Sequence, residues 1–290
     1  MLAATAMMIA VSTAIAPVGS SDVQARQGVR IVIEGGAGAG AGAQRDVSWR
    51  TDVSCDLATV ESLSARHPGV RQFVVMSTAT FASTAGSVFV AARREGGSWA
   101  CQTPAMTARF GRSGTRPLAL RRSGDGTTPA GVFPLGTVRA WDGQRFSVFG
   151  NRSDPGVRPG VTYRDVRPED CWGATPNTAS YNRLVARYGC PGPDDEWLPR
   201  FGDVYAHAAV IGVNLDPISG DAPGEPPYAA AIFLHRHDYE GIGTSGGTTR
   251  PTSGCVSLAD ADLVDVLRLL DPALDPRFAI GPVAWLRSPT

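Results

Sequence analysis

Pro251-Thr252-Ser253-Gly254-Cys255-Val256-Ser257-Leu258, taken with Phe233-Leu234-His235-Arg236-His237 upstream, decides how this chain is read. A cysteine stands directly after a glycine and just before a helix expected from Asp260. An apolar run ending in two histidines precedes it. A thiol nucleophile needs that setting: a positive helix end, an imidazole base and an uncrowded backbone. The helix dipole is expected to favour thiolate at Cys255. Gly254 leaves room for a substrate carbonyl. The amides of Gly254, Cys255 and Val256 are expected to face a developing oxyanion. His235 is the first choice of base, because it continues the buried run Ile232-Phe233-Leu234. His237 follows on the same strand face and remains the alternative.

The other cysteines have structural work to do. Of the five, Cys171 and Cys190 bracket one loop and Cys55 and Cys101 bracket the first β-rich block. Proximity predicts those two disulfides and leaves Cys255 unpaired. A zinc site built from His235, His237, Cys255 and His207 is the competing use of these residues. No Cys-x-x-Cys or His-Glu-x-x-His spacing supports it, so no metal and no cofactor is expected.

Disulfides imply an oxidising compartment. Met1 to Pro17 is almost wholly apolar or small, and Val23-Gln24-Ala25 suits signal peptidase, so residues 1–25 are expected to be a signal peptide. Residues 26–54, with the run Gly35 to Ala43, are expected to form a flexible tether, and residues 55–290 one folded domain. That places the protein in the cell envelope or outside the cell, with no transmembrane segment. The 27 acidic residues balance 27 basic ones, all arginine, so no basic face for nucleic acid is expected.

The folded part reads as mainly β with few short helices. Phe73–Met76, Ser87–Ala91, Ser98–Cys101, Val132–Phe133, Phe146–Phe149, Ala208–Val213, Ala229–Leu234 and Arg277–Ile280 are strand-like runs. Turn residues between them suit antiparallel connections, and Glu95–Ser98 reads as a hairpin turn. Glu61 to Arg66 is expected to form one helical turn. The clearest helix is Asp260 to Leu270, with Leu263, Val266, Leu267 and Leu270 on one face and Ser257 with Asp260 as its cap.

At these residues the chain resembles the L,D-transpeptidase catalytic-domain family, bacterial enzymes that remodel peptidoglycan cross-links. The family's motif is a histidine, 14 to 17 residues, Ser or Thr, a variable position, then Gly-Cys. His235 and His237 precede Thr252 by 16 and 14 intervening residues, and Gly254 and Cys255 take their places. Gly124-Asp125-Gly126-Thr127-Thr128-Pro129-Ala130-Gly131-Val132-Phe133 resembles a second family stretch. The resemblance spans roughly Gln72 to Pro282 and implies a single β-sandwich domain. It also implies a Cys255 thioester on peptidoglycan stem peptides, with the Arg236 carbonyl orienting the imidazole. Thr252, Ser253, Arg236 and Arg250 are then expected to touch substrate, the arginines at its carboxylates. Two departures stand out: Ser253 replaces a common histidine, and Ser257 a common arginine. They motivate an alternative, a catalytically weak peptidoglycan-binding protein that keeps the fold. A papain-like peptidase is disfavoured, because there the cysteine precedes the histidine in the chain.

Overall fold

The strand Gln72–Thr78 is buried along its whole length, which requires cover on both faces. A computed structural model, describing residues 53–190, 192–215, 228–239 and 247–288, supplies that cover. The expected signal peptide lies outside the described residues, as does the tether apart from Val53 and Ser54.

A twelve-stranded mixed sheet carries the fold. Across it run Tyr163–Asp165, Val148–Gly150, Ala208–Val210, Phe233–Arg236, Val256–Leu258, Met106–Arg109, Ala85–Arg93, Gln72–Thr78, Pro276–Pro282, Thr128–Pro134 and Thr115–Pro117, with Trp99–Cys101 beside Ala85–Arg93. The sheet turns back on itself. Just past Thr128–Pro134, the Gly136 amide donates to the Val210 carbonyl at 2.8 Å, and the Gly212 amide to that of Pro134 at 2.9 Å.

Strand periodicity then sorts the apolar residues into layers. Val74, Met76, Val88, Phe133, Leu234, Val256 and Phe278 point into one central core, which Leu263, Val266 and Leu267 of the helix Asp260–Leu269 complete. Phe73, Val75 and Phe89 point the other way and are capped by the helices Leu57–Arg66 and Val283–Arg287. Phe149, Val210, Phe233 and Cys255 face outward at the other end. There they are covered by Trp172, Leu184, Leu198 and Tyr205. Trp172 and Leu184 come from a small sheet of Leu184–Ala186, Asp170–Trp172 and Glu196–Trp197.

Mainly-β architecture with few helices is therefore found as expected, as are the hairpin turn after Arg93 and both disulfides, Cys55–Cys101 and Cys171–Cys190. Three local expectations need correction. Leu57–Arg66 is a full helix, capped by the Asp56 carboxylate, which accepts the Thr59 amide at 3.2 Å. Not all neighbours are antiparallel: Phe233–Arg236 runs parallel to Val256–Leu258, with His235 opposite Ser257. That ladder holds Val256-Ser257-Leu258 extended, so the helix begins only at Asp260, with Ala259 at its cap and no side-chain capping bond. Ser257 is not a cap, and Cys255 does not sit at a helix end.

Candidate active site

The parallel ladder puts Phe233, His235, Cys255 and Ser257 on one face of the sheet. The register Leu234↔Val256 and His235↔Ser257 leaves Cys255 one diagonal step from His235. The Cys255 loop is tied down by threonines. The Thr252 hydroxyl donates to the Cys255 carbonyl at 2.6 Å and accepts the Gly254 amide at 3.1 Å. Thr128, in the Gly124–Phe133 stretch, donates its hydroxyl to the same carbonyl at 3.2 Å. Gly254 has φ +150°, and a Cβ there would lie 3.2 Å from the Thr127 carbonyl oxygen, so glycine is required.

Cys255 is the one free cysteine and is 8% exposed. Its sulfur donates to the Ala231 carbonyl at 3.2 Å and accepts the Phe233 amide at 3.4 Å. Among the described residues no hydrogen bond joins it to either imidazole. The opposing wall is held by Asn182. Its side-chain oxygen accepts the Trp172 indole at 3.2 Å and the Ala231 amide at 3.1 Å. Ala231 itself adopts φ +53°, a strained conformation for a residue with a side chain.

The two histidines are held differently. His235 Nδ1 donates to the Arg236 carbonyl at 2.6 Å. A carbonyl only accepts, so the proton sits on Nδ1 and the neutral ring keeps Nε2 as its basic atom. The ring packs edge-on against Tyr205, centroids 5.6 Å apart. His237 instead bonds the Ser257 hydroxyl at 2.9 Å and the Thr107 backbone. Burial lowers both imidazoles to about 4, His237 also through the neighbouring His235 charge. The Cys255 thiol is pushed up, first by burial and then by Glu196, with the Phe233 amide and Arg121 opposing. At neutral pH thiol and imidazole are thus both uncharged, the reverse of the thiolate expected from a helix dipole.

Cys255 and Gly254 line a cleft of about 260 Å³ with Ser253, Arg112, Arg121 and Glu196. Arg112 stands at its exposed edge, donating to the Ser253 hydroxyl at 3.1 Å. Arg121 is buried, donating to the Thr127 carbonyl at 2.9 Å and pairing with Asp125 at 3.7 Å. Glu196 accepts the Tyr205 hydroxyl at 2.5 Å, and burial raises its carboxyl to about 7.

The Gly-Cys loop and the start of the Gly124–Phe133 stretch therefore meet at one cleft. The L,D-transpeptidase catalytic domain (YkuD) family matches residues 95–277. This chain belongs to that family. No curated protein and no solved structure matches it significantly. The match is a family of transpeptidase-type acyltransferases acting on peptidoglycan. Two strands ahead of it, Gln72–Thr78 and Ala85–Arg93, belong to the same sheet.

Several of the residues singled out in the sequence lie elsewhere than expected. Arg236 turns from the cleft toward Asp203 at 3.1 Å and the Tyr239 ring. Arg250 pairs with Asp238 at 3.8 Å. The hydroxyl of Thr252 and the amide of Gly254 are spent on each other within the loop. The Cys255 amide has no protein acceptor among the described residues. His207 bonds the Ser153 carbonyl at 3.0 Å, and no metal-binding cluster occurs among the described residues. Arg112, Arg121, Asn182 and Glu196 carry no local signature. Arg112, Arg121 and Glu196 reach the cleft, and Asn182 the Ala231 amide behind it, only through long-range folding, so no local pattern marks them.

Proposed function

We propose that the protein is an exported cysteine L,D-transpeptidase acting on peptidoglycan stem peptides, with Cys255 as nucleophile and His235 as base. One observation carries this reading: the free thiol lines the cleft on the same sheet face as an imidazole whose Nδ1 is fixed by a carbonyl. Residues 55–290 then serve as one catalytic domain behind a cleaved signal and a tether. Two disulfides fit an extracytoplasmic protein, and no helix among the described residues is long and apolar enough to cross a membrane.

Because thiol and imidazole rest uncharged, proton transfer accompanies attack. As Cys255 Sγ bonds the carbonyl carbon preceding a terminal D-alanine, His235 Nε2 takes the thiol proton. The Cys255 amide supports the negative oxygen. Collapse breaks the C–N bond, His235 returns the proton to the departing D-alanine nitrogen, and a thioester remains. An amine from a neighbouring stem resolves it to a cross-link; water resolves it to a shortened stem. Arg112 at the cleft edge suits a stem-peptide carboxylate.

Purified protein incubated with a disaccharide-tetrapeptide tests this by mass spectrometry. The reading expects loss of one alanine or formation of a dimer, abolished in Cys255→Ala. A second reading, a peptidoglycan-binding module without turnover, draws on the raised thiol and on the sulfur's bonds to backbone rather than imidazole. Binding with no product from the intact thiol would establish it.

A further inference from the structure

Acyl transfer brings two amines past one sulfur, one leaving and one arriving, and the inference drawn next rests on that reading. Glu196 shares the cleft wall with Cys255. Its strand is fixed from two sides. Trp172 pairs with Glu196 and Cys171 with Trp197, while Cys171 is also bridged to Cys190. The adjoining Asp195 carboxylate accepts the Ala174, Thr175 and Gly192 amides at 2.8 to 3.0 Å. The Glu196 carboxylate accepts the Tyr205 hydroxyl, and the Tyr205 ring packs against His235. No arginine pairs with it among the described residues: Arg121 is turned to Asp125, and Arg112 to Ser253. A carboxylate facing a cleft without a counter-cation, beside a sulfur whose ionisation it opposes, is ill suited to activating a thiol. It is well suited to receiving an ammonium.

We propose that Glu196 is the acceptor-side catalytic residue: it binds the ammonium of the incoming amine and accepts one of its protons during aminolysis of the Cys255 thioester. The proton count requires a second acceptor. An R–NH3+ group carries three protons and the product amide keeps one. One proton goes to Glu196 and frees the attacking lone pair. The C–N bond forms, the C–S bond breaks, and the second proton passes through His235 to the departing sulfur, restoring the thiol. Glu196 then loses its proton to solvent. Water bears no cation, so its attack needs no such seat. Glu196 thereby biases the thioester toward cross-linking over hydrolysis.

Glu196 titrates near 7, so the bias sets in as pH rises through neutrality. The ionisable groups around it are Tyr205, Cys255 and, behind Tyr205, His235, with Arg112, Arg121 and Asp194 along the cleft wall.

The test uses the full chain with disaccharide-tetrapeptide as both donor and acceptor, reading the ratio of cross-linked dimer to hydrolysed product against pH. That ratio divides a common thioester and does not depend on how much enzyme is active. In Glu196→Gln it is expected to fall about a hundredfold, while iodoacetamide alkylates Cys255 faster, because a charge opposing the thiolate is gone. A merely structural defect would not produce both. Tyr205→Phe, which removes a donor to the carboxylate, is expected to shift the pH at which the ratio rises upward. An unchanged ratio in Glu196→Gln, or a wild type that releases D-alanine but forms no amide, overturns the proposal. A wild type that forms no thioester removes the acyl-transfer reading instead, and this one with it.

Discussion

Thr252→Val keeps the side chain's shape and deletes one oxygen that makes two hydrogen bonds. The losses are unequal. The Cys255 carbonyl keeps a second donor, the Thr128 hydroxyl at 3.2 Å, so it stays satisfied and the missing bond costs about 1 kcal/mol. The buried Gly254 amide has only the Thr252 oxygen, at 3.1 Å, and stranding it costs about 1–3 kcal/mol. A total near 3 kcal/mol lowers the melting temperature of a domain this size by roughly 6–12 °C. Differential scanning calorimetry measures the drop, and Thr252→Ser, which restores the oxygen, recovers most of it. Turnover falls as well, because the loop that carries the nucleophile loosens. If Thr252→Val melts within a degree of wild type yet raises KM tenfold, the hydroxyl serves the substrate and the loop reasoning is refuted.

Three other outcomes follow from the same geometry. Gly254→Ala meets both the +150° φ and the Thr127 carbonyl oxygen at 3.2 Å, so urea unfolding should show a loss of about 1–3 kcal/mol; unaltered stability would mean the loop relaxes freely. Burial holds His235 near 4 against an ordinary 6.5, so the unfolded chain binds a proton the fold refuses, and stability falls by about 3 kcal/mol as pH drops through that window. Glu196, raised from 4.5 to about 7, acts oppositely, since its contribution declines as pH rises through that range. Denaturation of Glu196→Gln should therefore lose stability more steeply on acidification than wild type, and equal slopes would contradict the raised Glu196 carboxyl. Replacing Cys171 and Cys190, 19 residues apart, by serine should cost about 3 kcal/mol, against about 4 for Cys55 and Cys101, 46 apart; a melting temperature indifferent to both would contradict the pairing.

What the sequence disclosed was whatever is local. Runs such as Phe73–Met76 carry their strand in composition, and the leucines after Asp260 carry their helix in period. Cysteine proximity disclosed both disulfides. The reading failed where a long-range contact overrode a local cue. Val256-Ser257-Leu258 is too short to announce a strand and looks like the lead-in to a helix, yet the parallel ladder with Phe233–Arg236 holds it extended. That one contact moved Cys255 away from a helix end, and burial together with Glu196 keeps it a protonated thiol. Glu196 and Asn182 are ordinary residues in a polar stretch, and only long-range folding brings Glu196 to the cleft beside Cys255 and Asn182 to the Ala231 amide.

Intact-mass analysis of the protein quenched in acid during turnover of a disaccharide-tetrapeptide addresses the central claim most directly. The account predicts an adduct equal to the substrate minus one alanine, mapped by peptide digestion to Cys255 and missing from Cys255→Ala and His235→Ala. It further predicts that His237→Ala still forms the adduct. An adduct on another residue, or one that survives loss of His235 and vanishes with His237, would contradict the account.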